Sequence, residues 1–174
     1  MTIDAEVFRA TMRCWASGVT IVASHSDSFD GPRGMTVSSF TSVSMEPLLI
    51  LVCLFKETEA AQAVIESQVF GVSLLGVDHA HISSRFAGMD PEFLDEANRF
   101  VGLETTTLET GSLLLKDALA LLDCRVWQVY DGATHFIVVG EVVAAQINQP
   151  ESGPKPLVYS NQGYHQLMPW NTEP

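Results

Sequence analysis

Apolar residues recur along this chain at two spacings: alternation or short continuous runs, which predict strands, and intervals of about three or four residues, which predict a few inserted helices. Helical spacing near the N-terminus predicts a first helix that is capped by Thr2 or Asp4 and runs to about Trp15. A second helix is expected at residues 59–67, behind the capping hydroxyl of Thr58. Strand-like runs occupy residues 19–23, 48–55, 70–75, 120–130 and 136–144, and the last two form a hairpin around residues 131–134.

Six or seven strands with three inserted helices predict a mainly β protein, arranged as a closed antiparallel barrel with helices at its ends. The 174 residues suit one domain, spanning residues 1–174, with a sizeable core. The longest apolar run, residues 48–55, is too short to cross a bilayer and is expected to be a central strand covered on both faces.

Residues 34–44 form the most unusual stretch, because Ser and Thr crowd a segment that otherwise resembles a strand. Such a segment offers N–H and O–H donors to an anionic or polar ligand, whereas an exposed edge strand is the structural alternative. Lys56 and Thr58 then meet at a predicted strand-to-helix junction, which suits an anion. The alternative for this pair is an ordinary helix cap beside a solvated lysine.

Charge and cysteine content narrow the possible partners. The formal net charge of −12 argues against binding to nucleic acids and to anionic membranes. The N-terminus has no basic segment followed by an apolar one, so no signal peptide is expected. Cys14, Cys53 and Cys124 are an odd number without metal-type spacing, which suits a reducing cytoplasm.

Several charged or polar residues are expected to be solvated rather than functional. His79 and His81 lie two residues apart without a third ligand at suitable spacing, so no metal site is expected. Arg9 and Arg13 lie four residues apart, away from the apolar face of the first predicted helix, and are expected to face water, with pairing to acidic groups as the alternative.

The order of these features resembles that of a known protein family. The resemblance rests on Gly-Val-Thr at residues 18–20, the block Gly-Met-Thr-x-Ser-Ser-Phe-x-Ser-Val-Ser at residues 34–44, and Lys-x-Thr at residues 56–58. Arg-Phe-Ala at residues 85–87, His135 and Pro-Leu-Val-Tyr at residues 156–159 follow in the same order. The chain resembles the short-chain flavin reductase family, which supplies reduced flavin to two-component monooxygenases.

The resemblance implies a split β-barrel, a Greek-key antiparallel barrel of the FMN-binding type, usually assembled as a homodimer with flavin near the subunit interface. The implied activity is that of a cytoplasmic NAD(P)H:flavin oxidoreductase, which uses NADH or NADPH to reduce FMN or FAD for a partner monooxygenase. By position, the resemblance implies that His135 meets the nicotinamide. The residues that it places at the flavin are Thr36, Val37, Ser38, Ser39, Ser42, Val43, Leu54, Phe55, Lys56, Thr58, Phe86, Tyr159 and Tyr164.

One departure from the family pattern bears on the nicotinamide. Where the family usually has Gly-Asp-His, this chain has Ala133, Thr134 and His135, so the carboxylate beside the histidine is missing. Two alternatives therefore stay open at this stage. The protein could hold its flavin tightly and act directly on an organic substrate in a biosynthetic pathway, or it could be a non-enzymatic flavin-binding protein.

Overall fold

The computed structural model describes residues 3–148 and 153–168, in which strands outnumber helices. The strands are β1 (Ser17–Gly18), β2 (Thr20–Ser24), β3 (Arg33–Val37), β4 (Thr41–Met45), β5 (Leu48–Phe55), β6 (Val69–Leu74), β7 (Thr105–Thr106), β8 (Leu114–Leu115), β9 (Ala120–Gly132), β10 (His135–Ile147), β11 (Leu157–Ser160) and β12 (Gly163–Gln166). The α-helices are α1 (Ala5–Arg13), α2 (Glu59–Ser67) and α3 (Ala80–Phe86), and short 3-10 helices lie at Val77–His79, Pro91–Phe93 and Glu96–Asn98. The predicted class, mainly β with inserted helices, is confirmed. Within these residues, no helix has the length and apolar character needed to cross a membrane.

Seven strands form one antiparallel sheet in the order β3-β2-β6-β9-β10-β5-β4. Its two edge strands, β3 and β4, follow each other in the chain and are joined only by residues 38–40. Such a short connection keeps the two edges near each other without pairing them, so the sheet curls into a barrel that is split, and not closed as predicted, between β3 and β4. A smaller sheet, in the order β1-β11-β12, brings the two ends of the chain together.

The segment at residues 34–44 is not one strand, and the prediction of a continuous second strand was wrong. The chain leaves β3 after Val37 and enters β4 at Thr41, on the other edge of the sheet. Between them, the Ser39 hydroxyl accepts a hydrogen bond from the Cys53 N–H (3.0 Å) and donates one to the Cys53 carbonyl (3.1 Å). A side chain therefore replaces ladder hydrogen bonds at this bend.

β5 has the predicted bounds, but its predicted burial on both faces was wrong. Ile50, Val52 and Leu54 point into the barrel and are buried, whereas the residues between them face outward and are only partly covered. The reason is that a barrel strand has one face toward the interior and one toward the outside, so only alternate residues join the core. The outward residues are Leu49, Leu51 and Cys53, which are partly covered, and Phe55, which is exposed.

The two helices predicted with caps form as expected, with one difference. The Asp4 carboxylate caps α1 by accepting a hydrogen bond from the Glu6 N–H (2.9 Å), while Thr2 lies outside the described residues. α1 ends at Arg13 rather than at Trp15, and none of its side chains is buried. α2 has the predicted bounds because Thr58 caps it.

Candidate functional site

The bend between β3 and β4 is fixed by two of its hydroxyl groups and exposes a third. Thr36 Oγ1 donates to the Ser83 carbonyl (2.6 Å), and Ser39 is bonded to Cys53 of β5. Ser38 is exposed, and its hydroxyl makes no hydrogen bond to another described residue. The Ser38 side chain is therefore available to a ligand, on a backbone that its neighbours hold in place.

Ser38 borders a small cavity of about 180 Å³, here called the tyrosine cavity. Its lining includes Thr36, Ser38, Ser83, Met89, Tyr159 and Tyr164. Tyr164 Oη donates to Ser83 Oγ (2.9 Å), and the Tyr159 and Tyr164 rings meet at 5.5 Å between centroids. Four of the predicted site residues, Thr36, Ser38, Tyr159 and Tyr164, thus come together in one place from opposite ends of the chain. Apolar walls with a few fixed polar groups are typical of a cofactor site.

A second cleft of about 340 Å³ shares Ser38 and Tyr159 with the tyrosine cavity and is bounded on its far side by α1. We call it the α1 cleft, and its lining includes Phe8, Arg13, Trp15, Ser38, Tyr159 and Asn161. Arg9 and Arg13 border this cleft; both are exposed, as predicted, and Arg9 pairs with Glu6. They reach the same cleft because residues four apart share a helical face.

The predicted nicotinamide residue lies in a separate group at the end of the β9–β10 hairpin. His135 pairs with Phe55 across β10 and β5, with their ring centroids 5.4 Å apart. The Thr134 hydroxyl lies 2.9 Å from His135 Nδ1 and so occupies the position of an orienting partner for the ring. Lys56 is close by, and its Nζ lies 2.6 Å from Asp131 Oδ1.

Lys56 and Thr58 both have protein partners in this structure. The hydrogen bond and positive charge of Lys56 lower the pKa of the exposed Asp131 carboxyl. Thr58 Oγ1 caps α2 by accepting from the Ala61 N–H (3.2 Å), and it donates to the Phe55 carbonyl (2.8 Å). For Lys56 to bind a phosphate, its ammonium group must leave Asp131 or be shared with it.

The remaining predicted flavin residues differ in how they can reach a ligand. Val37 (3% exposed), Leu54 (0%) and Phe86 (1%) have their side chains in the core, so only their backbone groups are available to a flavin. Ser42 and Val43 are exposed on β4, where the pairing with β5 is irregular. In the described part of the chain, no group of three or more His, Cys, Asp and Glu side chains is arranged to hold a metal ion.

Sequence comparison defines the class of protein to which this fold and site correspond. The family model described as the flavin reductase like domain matches residues 12–168, so the chain belongs to that family. The split barrel inferred from the sequence is confirmed by solved flavin reductases of the same fold.

Three relatives illustrate the family. The chain is 32% identical over 172 residues to the reductase subunit HsaB of a flavin-dependent monooxygenase from Mycobacterium tuberculosis, covering 99% of this chain and 87% of HsaB. It is 35% identical over 166 residues to the FMN reductase (NADH) RutF of Pantoea ananatis, covering 95% of this chain and 83% of RutF. The NADH:FAD oxidoreductase SgcE6 of Streptomyces globisporus, solved with NAD and FAD fragments, superimposes with a TM-score of 0.83 at 27% identity and covers 99% of both chains.

Proposed function

We propose that this protein is an NAD(P)H:flavin oxidoreductase that reduces FMN or FAD and supplies the reduced flavin to a partner monooxygenase. The observation that carries the proposal is the match to the flavin reductase family over residues 12–168, which includes every residue of the tyrosine cavity. Relatives over nearly the whole chain are named as an NADH-dependent FMN reductase and as the reductase subunit of a monooxygenase.

The residues around the bend suit a flavin in both shape and chemistry. Ser38 offers a hydroxyl that bonds to no residue in the described part of the chain, and the backbone of residues 36–39 offers N–H groups where the chain crosses between sheet edges. Tyr159 and Tyr164 provide flat walls, and the bond from Tyr164 to Ser83 holds one of them in place. When bound, flavin accepts a hydride from the reduced nicotinamide at its N5 atom, so the protein's task is to align the two rings and exclude water.

His135 is the residue that we assign to the nicotinamide. Its ring is partly exposed, stands beside Phe55 and has the Thr134 hydroxyl on Nδ1, which leaves Nε2 available to a ligand. Thr134 also replaces the carboxylate usual in the family, so the imidazole is oriented by a neutral partner instead of a charged one. A neutral partner still fixes the ring, and this supports nicotinamide use despite the altered motif.

Stopped-flow mixing under nitrogen tests the proposal directly. Protein loaded with FMN or FAD is mixed with NADH or NADPH, and the flavin absorbance is followed. We expect fast bleaching of the wild-type protein with at least one nicotinamide. At limiting nicotinamide, His135→Ala should bleach about tenfold more slowly, because the nicotinamide ring is then less well aligned with the flavin ring. His25→Ala, an exposed loop histidine, is the matched control and should behave as wild type. Retained flavin that neither nicotinamide bleaches would overturn the reductase and leave a flavoprotein with another reductant.

We further infer that the protein is a homodimer that pairs through the outward face of the barrel. Tyr130, Ile137 and Cys53 form one row across three neighbouring strands on that face, and Phe55 lies in the next row. Tyr130 is 55% exposed, and the outward side chains of β5 are only partly covered. A contiguous apolar face of this kind, formed by the strands that carry His135, is typical of a subunit interface. Sedimentation velocity at micromolar protein tests it, and a monomer would overturn it.

A further inference from the structure

The α1 cleft adjoins the proposed flavin site without being needed for a mononucleotide. It shares Ser38 and Tyr159 with the tyrosine cavity and adds about 340 Å³ to the 180 Å³ of that cavity. A ligand seated at Ser38 therefore lies next to the α1 cleft. FAD differs from FMN by an adenosine monophosphate group, which a protein binds with a flat apolar surface for the adenine and a positive charge for the phosphate.

The cleft combines exposed aromatic rings with an uncommitted positive charge. Trp15 is 68% exposed and Phe8 is 56% exposed; Phe8 lies on α1, and Trp15 follows just beyond its end. An adenine ring stacks well on such side chains. Arg13 forms no ion pair with any described carboxylate, whereas Arg9 on the same helix is paired with Glu6. A guanidinium group binds phosphate oxygens through paired hydrogen bonds.

The walls of the cleft are fixed to each other before any ligand binds. The Asn161 N–H donates to the Arg13 carbonyl (3.1 Å), and Ser160 Oγ donates to the same carbonyl (3.4 Å). Asn161 lies in the turn between β11 and β12 and adopts a left-handed backbone conformation (φ 47°). Ser17, just after α1, pairs with Tyr159. The end of α1 is thereby attached to the strand that carries Tyr159, which fixes the backbone of Arg13 in the wall of the α1 cleft.

We propose that the α1 cleft binds the adenosine diphosphate portion of FAD, with Arg13 at the pyrophosphate and Trp15 against the adenine, so that the protein prefers FAD to FMN. This inference rests on the proposed function, because it requires a flavin in the tyrosine cavity. The reduced nicotinamide cofactor carries the same adenosine diphosphate group, and the test separates the two sources.

The test measures dissociation constants of FAD and FMN for the full-length protein by isothermal titration calorimetry. Arg13→Gln should weaken FAD binding about tenfold, because a charge-assisted contact is lost, and should leave FMN binding within about twofold. Trp15→Leu should also weaken FAD selectively. Arg125→Gln removes an equal charge from an exposed position on β9 and is the matched control, with no expected change in either constant.

The possible outcomes are distinct. An unchanged ratio of the FAD and FMN constants in Arg13→Gln, or an equal loss for both flavins, would overturn the assignment. A raised KM for NADH with unchanged FAD binding would assign the cleft to the nicotinamide cofactor instead and would also overturn it. If Arg13→Gln lowers the oligomer mass in sedimentation velocity and leaves the ratio of the FAD and FMN constants unchanged, the cleft is a contact between subunits, and the assignment is also overturned. Wild-type protein that binds neither flavin would refute the proposed function itself.

Discussion

Ser39 is expected to stabilise the seam of the barrel, by which we mean the open boundary between β3 and β4. Its neighbour Ser38 is expected to bind the ligand. Ser39→Ala removes two hydrogen bonds to the backbone of Cys53, at 3.0 and 3.1 Å, where β3 and β4 do not pair with each other. Each such bond contributes about 0.5–1.5 kcal/mol to the free energy of unfolding, and the lower end applies because Ser39 is exposed and water replaces part of the loss. The expected total is about 1 kcal/mol, equivalent to a fall in Tm of about 2–4 °C for a domain of this size.

The matched control for this prediction is one residue away. Ser38→Ala removes the same hydroxyl from an exposed position without a described protein partner, so Tm should change by less than about 1 °C. When flavin is titrated, Ser38→Ala should weaken binding and Ser39→Ala should not, because Ser38 lines both cavities and Ser39 lines neither. Differential scanning calorimetry with and without FMN provides both measurements. Equal Tm values for the two variants would refute the role of Ser39 at the seam.

Two further predictions concern packing inside and outside the barrel. In Gly140→Ala, the new Cβ would lie 2.8 Å from Phe70 Cε1. Urea unfolding should therefore show a fall of about 1–3 kcal/mol in the free energy of unfolding, which Phe70→Leu should partly restore in the double variant. Additive losses from the two substitutions would contradict the clash. Tyr130→Asp on the outward face should convert the proposed dimer to a monomer, as measured by sedimentation velocity. Thr107→Asp, on another exposed surface, should leave the dimer intact. A dimer that persists in Tyr130→Asp would locate the interface elsewhere.

The sequence predicted elements well where local chemistry decides them. α2 begins after Thr58 and ends at Ser67, as expected, because the capping hydroxyl and the apolar spacing are both local signals. The β9–β10 hairpin also forms at the predicted turn. The pattern of strands predicted a barrel, and the family resemblance added that the barrel is split and which residues surround Ser38, which periodicity alone could not supply.

The errors arose where a long-range contact decides the structure. Nothing local in residues 34–44 reveals that Ser39 bonds to Cys53, so the bend that divides the segment into β3 and β4 was missed. The outward exposure of β5 depends on its neighbours in the sheet rather than on its own apolar run. That Arg13 borders a cleft was not predicted from the sequence, because the cleft is completed by Tyr159, far along the chain.

The pairing of β1 with β11 has a consequence for how the protein folds. Ser17 lies opposite Tyr159, and the tyrosine cavity is lined by Val19 from the early part of the sequence and by Tyr159 and Tyr164 from a segment far along it. Contacts between such distant parts of a chain form late in folding. The cavity is therefore completed only when these two segments meet. A ligand bound there stabilises the folded chain and not a partly folded one in which the segments are still apart.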